Sequence, residues 1–82
     1  MQNTEEKLEG LFAEILELDK EKIKNNKDAD IFTQLKVDSL LALEVIAAAE
    51  RAFNIKIEDE EIKDLNTFNN ILALINKKIA SQ

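Results

Sequence analysis

The chain has 82 residues, 17 of them acidic and 11 basic, for a formal charge of −6; that length makes a single domain whose core must come from packing alone. It holds no cysteine and no histidine, which excludes disulfide frameworks, Cys/His metal clusters and a histidine general base, and with them most catalytic schemes. The negative balance speaks against nucleic acid and for partners with basic patches, and no apolar run approaches the length of a membrane span.

Met1 to Glu6 is polar and acidic, unlike a signal peptide, so an unprocessed cytoplasmic protein is expected. One glycine, Gly10, and no proline leave helix as the default reading. Leu8, Leu11, Phe12 and Ile15 recur at spacings of three and four and predict a first helix from about Thr4 to Leu18. Asn3 can cap it, with Glu6 three residues on as the partner in a capping box. From Asp19 to Asp30 the chain is polar without apolar periodicity, broken by Ile23; it reads as a surface loop with one short turn ending near Ile23. Ile31, Phe32 and Leu35 are spaced to fold back onto the core.

A second helix is predicted from Asp38, a favoured N-cap residue, to about Phe53. Ala42, Val45, Ile46, Ala49 and Phe53 form one stripe, whereas Leu40, Leu43, Ala47 and Glu50 fall on another face. A small bundle buries one such side; the other is either a docking surface or covered by a further helix. Ile55 and Ile57 alternate with polar residues over too few positions for a strand and tuck a loop into the core. Glu58 to Asp64 reads as a short third helix with Ile62 and Leu65 inward. Thr67 caps a fourth, whose stripe is Phe68, Ile71, Leu72, Ile75 and Ile79, with Lys77 and Lys78 near the negative end of its dipole. The expected fold is all-α: a four-helix bundle of three longer helices and one short one, with a long loop between the first two.

Asp38-Ser39-Leu40 places a hydroxyl at a helix start, where unpaired N–H groups and the dipole favour a phosphate. The tripeptide alone is a weak signal and better fits a serine in the first turn of an ordinary helix. Ser39 has no histidine partner, and Lys36-Val37-Asp38-Ser39-Leu40 lacks the glycines of a nucleophile elbow, so an enzyme is disfavoured. Carboxylates and amides also cluster in Asp19 to Asp30, but the spacing and central glycine of an EF-hand are missing; the segment reads as a solvated loop and no metal is expected.

From Leu35 to Ile75 the sequence LKVDSLLALEVIAAAERAFNIKIEDEEIKDLNTFNNILALI resembles the acyl carrier protein family without a gap, and Leu8 to Ile23 and Asp28 to Phe32 resemble its first helix and long loop. The resemblance implies one acyl-carrier domain over residues 1–82. It implies that Ser39 receives 4′-phosphopantetheine from coenzyme A by way of a phosphopantetheinyl transferase. The arm's thiol then holds acyl cargo as a thioester, which supplies the sulfur that the chain lacks. Asp38 matches the family's aspartate before the serine, capping the helix and presenting the hydroxyl. Leu40, Leu43, Glu44, Ala47 and Glu50 correspond to the family's partner-facing surface, to which Leu41, Glu58 and Glu61 are added here. Val45, Ile46, Ala49, Phe53, Leu65, Ile71 and Ile75 fall at core positions where the family sequesters an acyl chain. Further partners are acyl-transferring, condensing or acyl-activating enzymes with basic or apolar docking patches, and the carrier itself is expected to be a monomer.

The chain departs from the family pattern at four positions. Lys36 replaces a common glycine, Leu41 a frequent acid and Glu58 a frequent proline, and Arg51 interrupts an acidic run. Between Ser39 and Phe53 the charges are Glu44, Glu50 and Arg51, a net of −1, while Glu58, Asp59, Glu60, Glu61 and Asp64 are offset by Lys63 alone. Docking on the second helix is therefore expected to be more apolar, through Leu40, Leu41 and Leu43, than in a housekeeping fatty-acid carrier. The pathway is fatty-acid synthesis or a dedicated one for polyketide, lipid or surface-glycan chemistry. An aminoacyl or peptidyl carrier, and an unmodified helical interaction module with Ser39 incidental, are the alternatives.

Overall fold

A computed structural model describes residues 3–82; Met1 and Gln2, the start of the polar N-terminal stretch, lie outside the described residues. Its elements are α1 (Thr4–Leu16), α2 (Lys20–Lys24), α3 (Ser39–Phe53), α4 (Asp59–Ile62) and α5 (Phe68–Ala80). The all-α expectation holds, and among the described residues there is no strand. Two details differ from the periodicity. The first helix stops at Leu16 because Glu17 turns left-handed at φ 55°, and the turn expected near Ile23 is a helical segment of its own. Leu18 still packs against the core, from the connection after α1.

Three of the caps read from sequence are made by side chains. Asn3 accepts the Glu6 N–H at 2.7 Å, Asp38 accepts that of Leu40 at 2.8 Å, and Thr67 accepts that of Asn70 at 3.0 Å. Each such cap stabilises its helix by about 1 kcal/mol. The short α4 is held from the other direction: Glu61 Oε1 accepts the Glu58 N–H at 2.8 Å and also meets Lys78 Nζ at 2.8 Å. A proline at position 58 would have no N–H to give.

The core is one cluster, in which α1 packs against α2, α3 and α5, and α3 packs against α5. Leu8, Phe12, Ile23, Ile31, Val45, Ala49, Phe68, Ile71 and Ile75 are its most deeply buried members. Phe12 and Phe68 meet edge to face, with centroids 4.9 Å apart at 72°, an arrangement that adds about 1 kcal/mol to the burial of the two rings. Ile57 is buried and Ile55 half-buried, so the α3–α4 loop does tuck inward.

The long connection before α3 is tied down at both ends. Lys27 Nζ lies 2.9 Å from the buried Glu9 carboxylate, pairs also with Glu5, and sits 5.2 Å from the Phe68 ring centroid. Backbone bonds run from Ile31 N–H to Asn66 O (2.9 Å) and from Asn69 N–H to Lys27 O (3.0 Å). Asp30 Oδ1 accepts the N–H groups of Phe32 and Thr33, both at 2.9 Å, and starts the turn that leads to α3.

Candidate functional site

The turn after Asp30 buries Ile31 and Leu35 and leaves Phe32 outside, so two of the three apolar residues expected to fold back do so. Leaving this turn, the chain reverses at Lys36, whose φ of 59° lies in the left-handed region. The reversal lets Val37 N–H reach Ile31 O at 2.8 Å and delivers Asp38 to the start of α3 in extended conformation.

Ser39 is the first residue of α3 and is exposed. Among the described residues no acceptor takes up the N–H groups of Ser39 or Leu41, whereas that of Leu40 is held by Asp38 Oδ1 and that of Ala42 by Asp38 O. A hydroxyl beside two free N–H groups at the positive end of a helix dipole fits a phosphate ester. The bond from Leu40 N–H holds Asp38 Oδ1 at the helix end.

Beyond the serine, α3 divides by face as its sequence requires. Ala42, Val45, Ile46 and Ala49 are buried, while Leu40 is 73% exposed, Leu43 46% and Leu41 36%. Phe32, at 38%, adds an aromatic side chain from the turn closed by the Val37–Ile31 bond. Glu44 is exposed and Ala47 half-buried on the same helix. Ala47 and Glu44 line, with Leu11, Ile15 and Arg51, a shallow groove of about 500 Å³ between α1 and α3.

Two of the acidic residues read as partner-facing are employed inside the chain. Glu50 Oε2 accepts the Ile57 N–H at 2.8 Å, holding the α3–α4 loop. Glu61 is held by Glu58 N–H and Lys78, and the Lys78 ammonium, followed by that N–H, keeps its carboxyl below the usual range. Glu58 is exposed, as are Asp59 and Glu60 beside it.

Of the residues read as acyl-lining, Val45, Ile46, Ala49, Leu65, Ile71 and Ile75 are buried in one closed core. Leu65 also borders a surface groove of about 430 Å³ beside α4 and α5, with Leu74, Asn70 and Lys77. Phe53 is half-buried and packs against the core from the end of α3, with Lys7 Nζ 5.5 Å from its ring centroid. The stripe places it at the right phase, but the helix ends there.

A helical bundle with an exposed serine at a capped helix start is compatible with a carrier for a phosphate-linked arm. The sequence model of the family described as "Phosphopantetheine attachment site" matches residues 6–75. The chain belongs to the acyl carrier protein family, whose prosthetic group is covalently attached phosphopantetheine. It is 40% identical over 78 residues to an "Acyl carrier protein" of Buchnera aphidicola subsp. Schizaphis graminum, covering 95% of this chain and 96% of that one. An "Acyl carrier protein" of Thermosynechococcus vestitus is 37% identical over 76 residues, with 93% and 91% covered. The "Polyketide-8 synthase acyl carrier protein 2" of Streptomyces avermitilis is 30% identical over 74 residues, with 90% and 83% covered. Among the described residues no helix is long and apolar enough to cross a membrane.

Proposed function

We propose that residues 1–82 form one carrier domain that holds acyl intermediates on Ser39 and delivers them to separate enzymes, without catalysing a reaction itself. The observation that carries this reading is the exposed Ser39 hydroxyl at the Asp38-capped start of α3, inside the span that the family model matches. In loading, the Ser39 hydroxyl displaces adenosine 3′,5′-bisphosphate from coenzyme A. One serine P–O bond forms, one pyrophosphate P–O bond breaks, and the hydroxyl proton leaves to a base on the transferase. The bound arm supplies a terminal thiol for thioester chemistry that this cysteine-free chain lacks.

The chain's own contribution is presentation. Asp38 fixes the helix end, the free N–H groups of Ser39 and Leu41 face the phosphate, and Leu40, Leu41, Leu43 and Phe32 offer an apolar landing surface around it. That surface supports docking in which apolar contact outweighs charge, with the α4 acids Glu58, Asp59 and Glu60 as the electrostatic complement to basic partners. The relatives named as acyl carrier proteins, one of them a polyketide synthase carrier, support acyl cargo, in a fatty-acid or a specialised lipid or polyketide pathway.

Incubating the apo protein with coenzyme A and a broad-specificity phosphopantetheinyl transferase tests the reading by intact mass. A single phosphopantetheine adduct is expected on the wild type and none on Ser39→Ala. An unmodified wild type, or an adduct that survives the substitution, would remove the carrier reading and leave a helical interaction module.

A further inference from the structure

Lys36 has a backbone conformation that suits glycine and a side chain that the fold does not use. Its φ of 59° closes the turn ahead of α3, and glycine would meet that geometry without the penalty that a Cβ incurs. Among the described residues the ion pairs belong to Lys27 and Lys78, and Lys36 is exposed. Glu17 and Asn54 are the other two left-handed residues, and each ends a long helix. A lysine in this conformation three residues before the attachment serine is an outlier that asks for a role at the site.

We infer that Lys36 is the cationic partner of the serine phosphodiester in the loaded protein; this rests on the proposed attachment at Ser39. Three residues of chain span at most about 10 Å, which the four-methylene stem of lysine and the serine ester bridge between them. The nearby carboxylate, Asp38, has its Oδ1 held at the helix end by the Leu40 N–H at 2.8 Å. The phosphodiester thus gains a mobile ammonium on one side and the free N–H groups of Ser39 and Leu41 on the other. Lys36 is a positioning residue for the arm: it offsets the charge added at loading.

Phosphorus-31 NMR of the loaded protein tests this, with intact mass taken on the same sample. The variants are Lys36→Arg, which keeps the charge, Lys36→Gln, which keeps a long side chain without it, and Lys36→Glu, which reverses it. At low ionic strength Lys36→Arg is expected to hold the wild-type phosphodiester resonance. Lys36→Gln should shift it, and Lys36→Glu should shift it further in the same direction. In about 0.5 M salt, where exposed charges are screened within a few Å, the wild-type signal should move toward that of Lys36→Gln. A resonance common to all four proteins would overturn the role of Lys36 while leaving attachment intact. An adduct-free mass would remove both.

Discussion

Backbone and side chain make opposed demands at Lys36. Left-handed geometry costs an L-residue roughly 1 to 2 kcal/mol, and glycine returns part of that relief through its freer unfolded chain, about 0.4 to 1 kcal/mol. Lys36→Gly is therefore expected to stabilise the apo protein by about 0.5 to 1 kcal/mol, read as a higher urea midpoint at unchanged slope. The departure from the family at this position is visible in the sequence; its left-handed φ is not, because a one-residue conformation leaves no periodicity. The same blindness covers Glu9, which sits in a helix of mixed charge and is buried only because Lys27, far along the chain, reaches back to it. Glu50 and Glu61 read as surface acids for a related reason. A carboxylate that bonds a backbone N–H of its own chain has the same letter as one that waits for a partner. The Asp38 cap was legible because a cap is a local device, and local devices are written in adjacent residues.

At the level of elements, the caps and stripes of α1, α3 and α5 follow their sequence periods, whereas the connection between α1 and α3 gains its order from partners distant in sequence. Asp30 is central to it. Its carboxylate takes N–H groups from Thr33 and Phe32 and a contact from Asn66 Nδ2 at 3.3 Å, and the bond from Thr33 leads in holding its carboxyl below the usual range. A carboxyl depressed on folding contributes stability that is complete above its unfolded value, about 3.9, and lost as the pH falls through the folded one. Asp30→Asn should accordingly lower the thermal midpoint at pH 7 and narrow the further loss between pH 4 and pH 2 relative to wild type. Scanning calorimetry across that window checks it; an acid limb as steep as that of the wild type would show that Asp30 carries none of it. Glu61 works in the same direction through Lys78. Lys27 works at the alkaline limit: its bonds to Glu5 and Glu9 raise it, so its contribution is lost as pH rises through the folded value.

Across the whole molecule the charge is uneven. The formal total is −6, yet the span from Ser39 to Phe53 nets −1, and the exposed acids Glu58, Asp59 and Glu60 lie together at α4. Leu41→Asp with Arg51→Glu takes that span to −4. With a fatty-acid-type transferase bearing a basic patch, the double variant is expected to react about tenfold faster at low salt, the gain fading in about 0.5 M salt. Stopped-flow acyl transfer measures it, and unchanged rates would sink the apolar docking idea. The stitched connection before α3 carries one more consequence. Because residues 27, 31 and 37 are pinned by backbone bonds, the root of the arm has a fixed address, and the radius over which cargo can roam is the length of the tether alone. A tethered reactant within a short flexible leash has an effective concentration on the order of millimolar. Once the carrier has landed, encounter inside the partner's cavity is nearly assured, so the landing itself can be brief and weak, as a shuttle that must leave again requires.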